Sequence, residues 1–144
     1  MIGLCDKRYK LDRKIEVEEC LKLSINSFYE ANLLRDGADG QTLWLNLFGN
    51  EIARVDFSIN IKPSDNFIQL KYLIKNVNKV SYTVRLITTK CNFSGVRYWF
   101  ICPAIKNNEP CCKRSGVLYK PYNSKYFACR FCYELTYQSK KFNY

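Results

Sequence analysis

From residue 41 onward, apolar and polar side chains alternate with a period of two. In 51–62, Ala53, Val55, Phe57, Ile59 and Ile61 alternate with Arg54, Asp56, Ser58, Asn60 and Lys62. That pattern predicts a strand with one buried and one solvated face. It recurs in 67–74 through Ile68, Leu70 and Tyr72, and in 80–89 through Val80, Tyr82, Val84 and Leu86. Segment 41–48 is divided from 51–62 by Gly49-Asn50, a two-residue hairpin signal. A fifth apolar run, 96–102, ends on Cys102. Short connections make an antiparallel meander the simplest topology. Trp44 and Trp99 fall inside these runs and are read as core residues.

Before residue 41 the pattern differs. Residues 15–34 read as one or two short helices, the second capped by Ser24, with Ile25, Phe28 and Ala31 or Leu33 on one face. Glu16, Glu18 and Glu19 stand where negative charge complements a helix dipole. Asp36-Gly37-Ala38-Asp39-Gly40 breaks the helix. Residues 1–14 are polar and basic and read as an irregular lead-in. The expected class is α+β: short N-terminal helices, an antiparallel β-meander and a C-terminal zinc ribbon. Residues 1–95 form the helical lead-in and sheet, and 96–144 a zinc-ribbon module continuous with it.

The ribbon expectation rests on cysteine spacing. Cys129-Arg130-Phe131-Cys132 is a C-x-x-C pair, in which a tight turn aims two thiolates at one metal. Structural zinc takes four ligands. Cys102-Pro103 opens a second knuckle, but its partner lies well beyond the usual spacing, at Cys111 or Cys112. The residues between can loop out, because tetrahedral geometry constrains the sulfurs and not the backbone length. The remaining thiols, Cys5, Cys20 and Cys91, lack partners at knuckle spacing. Cys91 reads as a buried structural thiol, and the other two as ordinary thiols.

The strings TTKCNFSGVRYWFICP, LYKP and YFACRFCYELTYQS, within residues 88–139, resemble an uncharacterised family of small bacterial and phage-associated proteins. The resemblance is looser over 18–34. It implies that the two knuckles form a metal site, and it implies no activity. Alignment on Leu118-Tyr119-Lys120-Pro121 implies Cys111 as the ligand and puts Cys112 where the family has glycine. This chain departs from the pattern by an insertion in the first knuckle and by Ser94 in place of a glycine.

A chain of 144 residues suits one compact domain or a core with a small appendage. No run approaches the roughly 18 apolar residues of a membrane helix, and the N-terminus has no apolar signal core. The expected compartment is the cytoplasm, without membrane contact, where thiols stay reduced and bind metals. Histidine is absent, which excludes histidine-dependent triads, Cys2His2 fingers and HNH-type nucleases.

Charge is unevenly distributed. Residues 1–65 carry nine Lys/Arg against eleven Asp/Glu, while residues 66–144 carry fourteen against two. The net charges of −2 and +12 give the chain its total of +10. Such a field attracts polyanions. Arg97, Lys113, Arg114, Lys120, Lys125, Arg130, Lys140 and Lys141 are interleaved with Tyr98, Trp99, Tyr119, Tyr122, Tyr126, Phe131, Tyr133 and Tyr137, the ingredients of phosphate contact and base stacking. The same cations can instead offset the negative charge of a four-thiolate zinc centre. With only Glu109 and Glu134 after Asp65, the C-terminal part has too few carboxylates for a two-metal nuclease.

The expected function is a non-enzymatic zinc-ribbon protein of a phage or mobile element that binds nucleic acid through Arg97, Lys113, Arg114, Lys120, Lys125 and Arg130. The alternative is an inhibitor or adaptor that docks on a host nucleic-acid-processing complex, for example one of host defence.

Overall fold

The computed structural model describes residues 20–74, 78–93, 95–121 and 124–135. The expected lead-in, Cys5, the acidic helix start, Ser94, Tyr122, Tyr137, Lys140 and Lys141 lie outside the described residues.

The first described segment corrects the α+β expectation. Cys20–Ser24 is a strand (β1), followed by a single short helix (α1, Ile25–Glu30), and the molecule is mostly β. The cause is a short period-two pattern in which Leu21, Leu23 and Ile25 are buried. Its pairing partner lies far along the chain, and long-range pairing overrides local helix propensity. Ser24 does hold the residue before α1 in an extended conformation (φ −118°, ψ 128°), but its side chain makes no capping bond. Ile25 N–H donates instead to the Gly116 carbonyl at 2.9 Å.

The next strands are β2 (Asp39–Leu45), β3 (Glu51–Lys62), β4 (Asp65–Ile74), β5 (Asn78–Lys90) and β6 (Val96–Ile101). From β3 on, each pairs antiparallel with the one before it, which is the expected meander. Strands β7 (Ile105–Lys106) and β8 (Glu109–Pro110) pair only with each other, whereas β9 (Arg114–Ser115) pairs with β6. Strand β10 (Val117–Pro121) pairs with β1 in the register Leu23↔Leu118. The six-stranded sheet, in the order β2-β3-β4-β5-β6-β9, curls into a half-barrel.

Alternation decides which face is inside. Val55, Phe57 and Ile59 on β3, Ile68, Leu70 and Tyr72 on β4, and Val80, Val84 and Leu86 on β5 are buried. Phe28 of α1 meets Phe57 and Phe100 edge-on, with ring centroids 5.0 and 6.4 Å apart. One core cluster therefore runs from Leu21 to Cys129, and the cysteine-rich segment shares it.

The expected two-residue hairpin at Gly49-Asn50 is longer. Strand β2 ends at Leu45, and Asn46 Oδ1 accepts N–H bonds from Phe48 (2.8 Å) and Asn50 (3.0 Å). The Asn46 amide thus organises the turn, with Gly49 at φ +81°. Among the described residues, no helix is long and apolar enough to cross a membrane.

Candidate metal centre

Strand β6 carries Phe100 inward with no exposed surface and delivers the chain to Cys102. Cys102 N–H donates to the Lys113 carbonyl and Cys111 N–H to the Ala104 carbonyl, both at 2.9 Å. The residues between are a hairpin, β7–β8, turned by Asn107 (φ 52°) and Asn108 (φ 65°). Asparagine tolerates left-handed φ and favours such two-residue turns. The excess spacing is therefore folded out of the knuckle, and Cys102 and Cys111 meet across its base. The Asn107-Asn108 pair between short extended segments was the sequence signal for this hairpin.

The second knuckle hangs from an isolated bridge. Tyr119 N–H donates to the Ala128 carbonyl at 2.8 Å, and Ala128 N–H donates back at 2.9 Å. This fixes Cys129, whose N–H donates to Cys102 Sγ at 3.2 Å. Two tyrosines of the sheet steady the approach to it. Tyr82 Oη lies 2.9 Å from Tyr72 Oη and accepts the Phe127 N–H at 3.0 Å. Tyr72 Oη donates to the Lys125 carbonyl, and Tyr133 Oη to the Tyr126 carbonyl. Burial pushes the Tyr82 hydroxyl up to about 12 and raises that of Tyr72. Both phenols stay protonated as donors at neutral pH. Sequence alternation marked Tyr72 and Tyr82 as core but gave no sign of these bonds.

The four sulfurs of Cys102, Cys111, Cys129 and Cys132 lie within 4.8 Å of one another. Cys102 Sγ is 3.8 Å from Cys132 Sγ, and Cys111 Sγ is 3.8 Å from Cys129 Sγ. Metal–sulfur bonds of about 2.3 Å in a tetrahedron put the sulfurs about 3.8 Å apart. Four cysteines at this spacing could hold a metal ion. Cys102 and Cys129 are buried, and Cys111 and Cys132 half-buried.

The thiols also perturb one another. Donation by the Cys102 thiol brings Cys129 down to about 4, with the Cys132 backbone N–H and then the Cys132 and Cys111 thiols helping. Cys102 is correspondingly raised by its bond to Cys129 and by burial, while burial first and then neighbouring thiols push Cys132 up to about 11. Four thiolates cannot crowd together uncompensated, and a bound cation supplies the charge that lets all of them ionise.

Cys112 stands apart from the cluster. It is exposed and left-handed (φ 53°), a conformation suited to glycine. Cys91 is exposed, not buried as expected, and its N–H donates to the Gly95 carbonyl at 3.2 Å in the turn between β5 and β6. Cys20 is half-buried on β1.

The basic residues divide into distinct groups. The Arg97 and Arg114 guanidiniums lie 3.9 and 4.6 Å from the centroid of Trp99. Lys113 and Arg130 lie 5.0 and 4.9 Å from Phe131, and Lys125 lies 5.3 Å from Tyr126. Lys120 departs from the expected surface group. It is buried, its ammonium is 6.0 Å from the Tyr72 ring, and burial lowers its pKa. The tryptophans are half-buried. Trp44 stacks on Phe127 from the inner side, whereas Trp99 stands on the outer face because Phe100 takes the inward position on β6.

No protein family, curated protein or solved structure matches this chain.

Proposed function

We propose that Cys102, Cys111, Cys129 and Cys132 hold one structural zinc ion and that the chain acts, without catalysis, by binding nucleic acid. For zinc, the support is an all-sulfur donor set in which two sulfur pairs stand 3.8 Å apart, the edge length of a zinc–thiolate tetrahedron. Four protein ligands complete the shell and leave no open position for Lewis-acid chemistry. The ion would tie β6 to the last described turn and so rigidify the edge of the sheet.

The observation that carries the nucleic-acid reading is the stacking of cations on rings around this centre. Trp99 and Phe131 each hold two cations. Among the described residues the sole ion pair is Glu51–Arg54, so Arg97, Lys113 and Arg114 have no carboxylate partner. Unneutralised cations beside aromatic faces suit phosphates and bases. Lys113 and Arg130 also adjoin the knuckles in sequence and offset the charge of about −2 on a four-thiolate zinc centre.

One observation favours the adaptor reading: Leu47 and Phe48, at the tip of the β2–β3 loop, are almost fully exposed. Apolar tips of this kind dock on proteins.

Co-purification with and without nuclease, followed by a salt titration of the purified chain against random oligonucleotides, separates the two readings. Nuclease-sensitive nucleic acid and a linear fall of log K with log salt are expected. Undetectable binding at low salt together with a nuclease-resistant protein partner would replace the nucleic-acid reading with the adaptor one.

A further inference from the structure

We propose that the outer face of the curled sheet is a track for single-stranded nucleic acid, with Arg97 and Arg114 clamping a phosphate over Trp99 and Phe67 stacking on a base. This inference rests on the nucleic-acid reading above and assigns it a surface and a strandedness.

Partners in an antiparallel pair share a face. Because Ile68, Val84 and Phe100 point inward, Phe67, Arg85, Ile87, Trp99 and Arg97 point outward. The register joins them in one path, with Phe67 opposite Arg85 on β4–β5, and Ile87 opposite Trp99 and Thr89 opposite Arg97 on β5–β6. Strand β9 adds Arg114 opposite Ile101. Strands β5, β6 and β9 contain Lys79, Arg85, Arg97 and Arg114 and no Asp or Glu. Lys79, Arg85, Arg97 and Arg114 are exposed, so this part of the face offers charge complementarity to a polyanion.

The clamp is ordered in advance. Trp99 Nε1–H donates to Thr89 Oγ1 at 2.9 Å, which fixes the indole. The indole in turn holds both guanidiniums. Arg97 also lies against bare backbone, since a Cβ at Gly116 would stand 3.4 Å from its Nη2. Arginines held on a ring lose less freedom on binding, and their planar forks match phosphate oxygens. With cations over it, Trp99 serves as the scaffold of the clamp, which leaves the half-buried Phe67 as the stacking surface.

Two strand spacings and a two-residue offset separate Phe67 from Trp99, about 12 Å. That distance spans about two nucleotide steps of an extended strand. Gln69, Ser81 and Thr83 lie on the same face beside Phe67 and can meet base edges. Stacking on Phe67 requires unpaired bases, which favours a single strand over a duplex.

The test is fluorescence anisotropy of the full chain against a short single-stranded oligonucleotide and a duplex of equal length, across salt. Four variants are compared: Arg97→Gln/Arg114→Gln, Lys113→Gln/Arg130→Gln, Phe67→Leu and Phe67→Tyr. Zinc content and circular dichroism serve as the folding check. Wild type should prefer the single strand. Arg97→Gln/Arg114→Gln should reduce the slope of log K against log salt by roughly 0.7 for each phosphate that is no longer neutralised. Phe67→Leu should weaken single-strand binding roughly tenfold, while Phe67→Tyr should retain it. Equal binding by the two Phe67 variants, equal affinity for duplex, or a loss confined to Lys113→Gln/Arg130→Gln would overturn the track while leaving nucleic-acid binding standing. Wild-type chain that binds neither oligonucleotide at low salt would overturn both.

Discussion

At Cys112 the backbone turns left-handed (φ 53°) and the thiol faces solvent, while one residue earlier Cys111 turns inward to within 3.8 Å of Cys129 Sγ. Spacing alone cannot separate two adjacent cysteines. What separates them is the backbone bond from Cys111 N–H to Ala104, which sets the direction of one side chain and leaves its neighbour in a conformation costly for any residue with a Cβ. Cys112→Gly should therefore keep the metal and raise stability by roughly 1 kcal/mol. Cys111→Ser should lose the metal and destabilise the segment after residue 101. Metal analysis and denaturant titration of both variants check this; loss of metal in Cys112→Gly would assign the ligand to the wrong cysteine. Trp99 makes a related point at this scale. Its place in a strand was legible, but its face was decided by Phe100, which fills the interior more completely.

Among the elements, strands with strict alternation were legible because each carries its own pattern. Elements that depend on a distant partner were not. Strand β1 is too short to declare itself, and its ladder comes from β10. The β2–β3 loop looked like a Gly-Asn turn until the Asn46 side chain took the N–H groups of Phe48 and Asn50. The first knuckle was legible as chemistry but not as geometry, because hairpin β7–β8 hides a short knuckle inside a long spacing. Removing residues 105–110 would join Cys102-Pro103-Ala104 directly to Cys111 and create a C-x-x-C pair. The shortened chain should bind metal with the same stoichiometry and unfold within about 1 kcal/mol of the full chain, since an exposed hairpin contributes little burial. Failure of the shortened chain to bind metal would show that the hairpin itself builds the site.

Across the whole molecule, sheet and cysteine cluster share one core. Cys102 and Cys129 are buried in the same cluster as Leu23, Val84 and Phe100, and tyrosines of β4 and β5 hold the segment that carries Cys129. Metal binding and sheet stability should therefore be coupled, because a site absent from the unfolded chain converts binding free energy into folding free energy. The charge asymmetry of −2 against +12 was legible from composition. Its division into groups centred on Trp99, Phe131 and Tyr126, with Lys120 buried, required the fold. The central claim is that one zinc ion sits among the four sulfurs. It is tested most directly by elemental analysis of chain purified without added metal, with thermal unfolding before and after a strong chelator. About one zinc per chain is expected, together with a marked loss of stability on its removal. A metal-free chain that unfolds at the same temperature as the purified protein would contradict the account.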